Sequence, residues 1–333
     1  DVCSSDLARD RAPSGSCMRR RLAGLLALVL LLTGCARQPR LLLDAEVTGG
    51  SDVTWVRGDS CVAVSLMGRG VTILDAATGA VRAEWHAEAL PSHAVHGLAA
   101  SATGETLAVA TEDSVRVLLA REARAVRVVP GGGRTLALSN DGTRLAWSDG
   151  GTGRILDVAT GRVDAEHVMT VDRGGLVWLP RVQRFAWADG PRVQLANLDS
   201  LTANTLDVFT VQPLGPLAAS GGGGTLAVAE DAQAISIWDV PRRALRWRLT
   251  LAGEPRFSRM ALSADTWYLA TVHQGEVRVR WAYTGRSVTI WEPDDGAEVR
   301  DLAFARSGHR LATVAADGRV RIWELPASDK EQR

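Results

Sequence analysis

One small unit recurs along this chain and limits what the chain can become: a large apolar residue followed by alanine, seven times over. The pairs are Val62-Ala63, Leu107-Ala108, Leu145-Ala146, Phe185-Ala186, Leu226-Ala227, Leu269-Ala270 and Leu311-Ala312, separated by 45, 38, 40, 41, 43 and 42 residues. Chance recurrence in a chain rich in Ala, Val and Leu would not carry neighbouring signals in phase. Here turn residues precede the pairs, at Thr103-Gly104, Asp141-Gly142, Gly221 to Gly224 and Ser307-Gly308, and a further apolar run follows each. A period of this size marks one supersecondary unit that buries its faces by stacking on copies of itself.

The clearest copy runs from Val299 to Glu324, VRDLAFARSGHRLATVAADGRVRIWE. Apolar and polar residues alternate from Val299 to Phe304, Ser307-Gly308 turns, Leu311 to Val314 forms a second run, and Asp317-Gly318 turns into a third through Val320, Ile322 and Trp323. Period-2 runs joined by hairpin signals describe an antiparallel meander rather than a helix. The corresponding third runs elsewhere end in Ile73-Leu74-Asp75, Val117-Leu118, Ile155-Leu156-Asp157, Leu195-Ala196-Asn197, Ile237-Trp238-Asp239 and Ile290-Trp291-Glu292.

This order of strands and turns resembles a WD40 repeat, with Trp238-Asp239 as the full dipeptide and Trp291-Glu292 and Trp323-Glu324 as near matches. The resemblance implies an all-β, seven-bladed WD40-like β-propeller over residues 41–326, built from four-stranded antiparallel blades and followed by a polar tail, 327–333. Blade six departs from the pattern. Val277 to Trp281 and Ser287 to Trp291 read as an additional alternating pair around Tyr283-Thr284-Gly285, an extended hairpin. The last copy supplies three strands, whereas Leu41 to Val47 is a strand with no blade of its own. Pairing the two would close the ring and remove a free sheet edge. Asp75 to Trp85 and Asp157 to Val163 also resemble the D-x-x-T-G turn of quinoprotein-type propellers.

The N-terminal region carries a different signal. Met18 is followed by Arg19-Arg20-Arg21 and an apolar stretch, Leu22 to Leu32, too short to span a bilayer as a stable helix. It ends in Leu32-Thr33-Gly34-Cys35, which resembles the lipobox of bacterial lipoproteins. That resemblance implies a signal peptide at 18–34, lipidation of Cys35 and a short tether at 35–40. Residues 1–17 then read as sequence upstream of the natural start. Several acyl chains on one residue would hold the protein to a membrane durably. Ala36, in place of the Asp that retains such proteins at the inner membrane, directs the expectation to the outer membrane, periplasmic face.

The remaining chemistry is sparse. Formal net charge is zero, so bulk electrostatics gives no reason to expect a nucleic-acid partner. Cys3, Cys17, Cys35 and Cys61 have no paired metal-binding spacing. Cys61 lies in a strand-like run that would bury it. Ser220 to Gly224 lacks the Lys-Ser/Thr and helix of a phosphate loop and reads as a hairpin turn. Asp113, Asp149, Asp189, Asp231 and Asp317 recur at the turn between second and third strands, where a carboxylate bonds backbone amides. No catalytic, cofactor-binding or metal-ligating set is assigned. The expected function is a non-enzymatic protein–protein interaction scaffold at the cell envelope, whose partners are unidentified envelope proteins. Assistance to outer-membrane β-barrel assembly through β-augmentation and a propeller hydrolase or lactonase are the alternatives. Candidate partner-binding loop residues are His93, His96, Trp178, Tyr283 and Arg286.

Overall fold

Short period-2 runs separated by Gly and Asp turns fold as narrow sheets, because each run is long enough for one crossing of a blade. The computed structural model describes residues 38–86, 95–133, 135–149, 151–168, 175–196, 203–206, 216–231, 234–251, 253–254, 256–293 and 296–326. Among the described residues there are seven four-stranded antiparallel sheets. An opening strand, β1 (Arg40–Glu46), precedes blade one, which comprises β2 (Gly50–Val56), β3 (Cys61–Leu66), β4 (Gly70–Asp75) and β5 (Val81–His86). Blade two contains β6 (Val95–Ala100), β7 (Thr106–Thr111), β8 (Ser114–Leu119) and β9 (Arg124–Pro130). Blade three contains β10 (Thr135–Leu138), β11 (Arg144–Ser148), β12 (Thr152–Asp157) and β13 (Val163–Val168). Blade four contains β14 (Leu176–Leu179), β15 (Arg184–Asp189), β16 (Arg192–Ala196) and β17 (Ala203–Leu206). Blade five contains β18 (Leu217–Ala219), β19 (Thr225–Asp231), β20 (Ala234–Asp239) and β21 (Ala244–Thr250). Blade six contains β22 (Phe257–Leu262), β23 (Tyr268–His273), β24 (Glu276–Trp281) and β25 (Ser287–Trp291). Blade seven contains β26 (Val299–Phe304), β27 (Arg310–Ala315) and β28 (Arg319–Glu324), with β1 as its outer strand.

The fold is thus a seven-bladed β-propeller. The expected closure is present: β1 pairs antiparallel with β28, from Arg40 opposite Glu324 to Glu46 opposite Arg319, with a bulge between Leu41 and Leu43. The recurring apolar-Ala pair sits in the second strand of each blade, fully shielded; Leu107, Ala108, Leu226, Ala227, Leu311 and Ala312 expose none of their surface. Alanine there leaves room for the neighbouring blade, whose apolar residues complete a separate core at each seam. At the seam of blades seven and one, Val53, Trp55, Val62, Ala312, Val314 and Ile322 form one such cluster. Removing each buried Val or Ile side chain of this cluster from water contributes about 1.5–3 kcal/mol.

Blade six is regular, which corrects the extended-hairpin expectation. Val277 and Trp281 lie in the third strand, and Ile290 and Trp291 in the fourth, so Ile290-Trp291-Glu292 is not the third-strand signature. Leu269 pairs with Arg280, as Leu311 pairs with Trp323 and Leu226 with Trp238. Arg280 therefore takes the signature Trp position. Alternation alone assigned Trp291 to the wrong strand, because third and fourth strands have the same period.

Turns between first and second strands form one rim, here termed the lower face together with the turns between third and fourth strands. Arg57 N–H donates to Gly104 O at 3.0 Å and Ala102 N–H to Asn140 O at 2.9 Å, linking blades one to two and two to three. Asp59 closes the ring at the last seam, accepting from the amides of Arg306 and Ser307 at 3.0 Å each. Gly104 shows why glycine precedes the pair: its φ is +69°, and a Cβ would stand 2.2 Å from Arg57 N. Gly223 meets the same constraint from Pro180, at 2.3 Å. The other face, termed upper, carries the described turns between second and third strands, the ends of the fourth strands and the starts of the first.

Candidate functional site

A bulge near the start of several inner strands turns equivalent side chains toward the upper end of the central channel. Register places Arg259 opposite Val272 and Asp301 opposite Val314, each just after such a bulge. In blade one, Asp52 falls within the bulge between Gly50 and Val53. Three consecutive inner strands, β22, β26 and β2, thereby present Arg, Asp and Asp side by side. The equivalent place in blade two is Gly97, opposite Ala110.

These groups are neighbours across the two seams that join blades six, seven and one, with Asp52 held within blade one. Val53 N–H donates to Asp301 Oδ2 at 3.0 Å, and Arg259 Nε lies 3.7 Å from Asp301 Oδ1. Ser65 and Ser51 hydroxyls donate to Asp52 Oδ2 at 2.8 and 2.9 Å. Arg300 donates to Gly50 O at 2.9 Å from the same region. Desolvation at the packed seam, helped by the neighbouring Asp52 charge, pushes Asp301 up to about 7, against the pull of Val53 N–H and Arg259. A carboxyl of this kind exchanges its proton near neutrality. No sequence signal distinguished Asp52 and Asp301, because a bulge shifts the alternation by one residue and its position is set by pairing.

The lower end of the channel is lined by a mixture of apolar inner-strand side chains and polar turn residues, among them Asp59, Asn140 and Arg306. A cavity of about 410 Å³ is lined by all seven inner strands and their turns, among them Trp55, Leu98, Leu138, Trp178, Met260 and Phe304. Trp55 is held in place by donating its indole N–H to Ala303 O at 2.9 Å, and Arg310 stacks over its ring at 4.9 Å.

The sequence-derived candidates scatter over this framework. His93 and Cys35 lie outside the described residues. His96 is exposed in β6 on the upper side, where it lines a cavity of about 620 Å³ with Glu112, Gly132, Gly133 and Asp149. Trp178 is not on an exposed loop: it belongs to β14, is 8% exposed, and packs on Phe185 with ring centroids 4.7 Å apart. Its run, Leu176 to Leu179, is an inner strand, and burial of the indole between blades three and four outweighs exposure. Tyr283 and Arg286 are exposed, as expected, on the lower-face turn of blade six. The Tyr283 ring lies 4.8 Å from Trp247, and its hydroxyl is 2.5 Å from Thr266 Oγ1.

The repeated acidic turns are architectural where their side chains are described. Asp149 accepts from the amides of Gly151 and Thr152 at 3.2 and 3.0 Å, and Asp317 from Arg319 N–H at 3.0 Å. Asp113 accepts from the hydroxyls of Thr111 and Ser114. On the lower face, Asp75 and Asp157 each cap a D-x-x-T-G turn through the amide and hydroxyl of Thr78 and Thr160. The Arg82 guanidinium, then the Thr78 bonds, hold the Asp75 carboxyl well below the usual range. Cys61 is a buried free thiol, as its strand context predicted.

Together, the fold and the repeat define a seven-bladed β-propeller carrying a WD40 repeat. Residues 284–324 match the family model "WD domain, G-beta repeat". In the structure that span holds the outer strand of blade six and the first three of blade seven, so one sequence repeat bridges two blades. A stretch of 92 residues is 30% identical to Transducin beta-like protein 3 of Mus musculus, covering 27% of this chain and 12% of that protein. The Bos taurus protein of the same name matches at 30% over 92 residues, again with 27% and 12% coverage. The matched stretch thus spans only about one eighth of these relatives' length. Among solved structures, the β-propeller domain of Cps50 (Swd1) from Myceliophteria thermophila superposes with a TM-score of 0.74. That likeness covers 87% of this chain and 100% of the other at 14% identity, which carries the fold alone.

Proposed function

We propose that this propeller is a non-enzymatic protein–protein interaction scaffold, held at a bacterial cell envelope by a lipid on Cys35. The observation that carries the scaffold reading is the rim. Hydrogen bonds from turn to turn, with Asp59 across the last seam, fix loops from different blades relative to one another around an open channel mouth. Such a platform loses little conformational freedom when a partner docks, so contact energy is not consumed in ordering loops. The recurrent carboxylates Asp113, Asp149 and Asp317 are bonded within their turns, which supports an architectural role for them. The Leu32-Thr33-Gly34-Cys35 motif behind a short apolar stretch supports the anchor.

The test is cross-linking in cells with mass spectrometric identification, using Cys35→Ser as the unanchored control. Envelope proteins recovered with the anchored protein and lost in the control are the expected result. Recovery of β-barrel assembly components would assign the scaffold to that pathway. A folded, abundant protein with no reproducible partner would refute the scaffold, and a Cys35 without acyl mass would refute the anchor.

A further inference from the structure

We infer that the lower face of blades six and seven is a membrane-facing surface, whose partner is the headgroup region of a lipid bilayer. The inference rests on the anchor reading above and adds an orientation to it. Two features of the structure carry it independently.

The first is where the tether joins the ring. Four residues separate Cys35 from Arg40, so fully extended chain across the five residue steps reaches about 18 Å at most. Arg40 pairs with Glu324, the last residue of β28, whereas the other end of β1 pairs with Arg319 just after the upper turn. The tether therefore enters the propeller at the lower end of blade seven's outer strand. That end presents consecutive apolar residues to solvent, Leu41 and Leu42, 39% and 37% exposed, next to an exposed Arg40.

The second is the chemistry of the adjoining lower-face turns. In blade six, Trp267 is 39% exposed and Tyr283 is 43% exposed. Both rings are braced from below: Trp267 meets Trp281 edge-on at 6.0 Å, and Tyr283 packs on Trp247. Thr266 supports the arrangement at a φ of +67°, an unfavourable value for a β-branched residue, with its hydroxyl against that of Tyr283. Arg286 and Arg306 are exposed on turns of the same face. Rigid aromatic rings with one wet edge, accompanied by arginine, are the side chains that settle at a bilayer's headgroup level. Contact through blades six and seven leaves the lower-face turns of blades two to four, and on the upper face Asp52, Asp301 and the cavity beside His96, for protein partners.

The full chain, expressed in bacteria and purified from membranes, is reconstituted into phosphatidylethanolamine–phosphatidylglycerol vesicles with single nitroxide labels. Ser307→Cys and Thr284→Cys report the lower face, Arg69→Cys and Glu112→Cys the upper. Collision with a water-soluble nickel chelate is compared with and without vesicles. Lower-face labels are expected to lose most of their chelate accessibility on vesicles while upper-face labels keep theirs, and Trp267→Ser with Tyr283→Ser is expected to restore access at Ser307→Cys. Equal access on both faces, or protection of the upper face, would overturn the orientation while leaving the anchor intact. The mass of the Cys35 peptide separates the cases, since a Cys35 without acyl groups removes the anchor and the orientation together.

Discussion

The first three strands of blades six and seven have the same order and pairing, yet they fill the signature position of the third strand in opposite ways. In blade seven, Trp323 is buried, donates its indole N–H to Thr313 Oγ1 at 3.0 Å, and lies 5.5 Å from the Trp291 ring. In blade six the same place holds Arg280, 8% exposed, which donates to Glu254 Oε2 at 2.5 Å. Arg278 donates to the same oxygen at 2.8 Å. A long side chain that packs by its stem or ring and finds one acceptor for its donor is sufficient in both. The Trp-Asp dipeptide is one solution to that requirement, and the blade forms without it. What both blades share is the apolar-Ala pair of the second strand and the turn before it.

This comparison is sharpened first by Trp323→Ala. Loss of a buried indole, and of its bond to Thr313 Oγ1, should cost about 3–5 kcal/mol, read as a lowered urea midpoint with little change in slope. Glu254→Ala is expected to cost less, about 2 kcal/mol, because it strips the acceptor from a buried guanidinium while Glu254 itself is partly exposed. Arg280→Met in the Glu254→Ala background should recover part of that loss. If it recovers nothing, the acceptor is not what blade six requires at this position.

The last seam offers a test through pH. Asp301 holds its proton more tightly in the folded ring than in the unfolded chain, where a carboxyl titrates near 4. Its contribution to stability is therefore complete in acid and declines as pH rises from about 4 to about 7. Asp301→Asn keeps an acceptor for Val53 N–H and removes the titration, so this decline in the unfolding midpoint should flatten. An unchanged profile would show that Asp301 is not held protonated at the seam. The smallest effect is expected at Asp75, whose depressed carboxyl contributes above about pH 4 and loses that contribution as pH falls through its folded value. Asp75→Asn should lower the thermal midpoint slightly at neutral pH and not at all in strong acid; a shift of equal size at both would assign its role to packing.

Most of the architecture was legible because it is periodic. Seven apolar-Ala pairs, turns in phase and a spare strand before the first repeat were enough to count blades and to foresee the pairing of β1 with β28. Blade six was misread at Trp291 because third and fourth strands alternate alike. Trp178 was misplaced because its four-residue run, next to a proline, has no turn signal that separates loop from inner strand. Asp52, Asp301 and Arg259 were not legible at all. They are distant in sequence, and three bulges bring them to one end of the channel.

The sequence by itself determined the repeat, the strand count, the turn chemistry and the N-terminal lipobox-like motif, because each depends on residues within one hairpin of each other. The tertiary structure alone decided which side chains share a seam, that a guanidinium replaces an indole in blade six, and that two carboxyls and an arginine meet at the closure of the ring. Those outcomes depend on how neighbouring blades abut, and local periodicity carries no information about the groups across a seam.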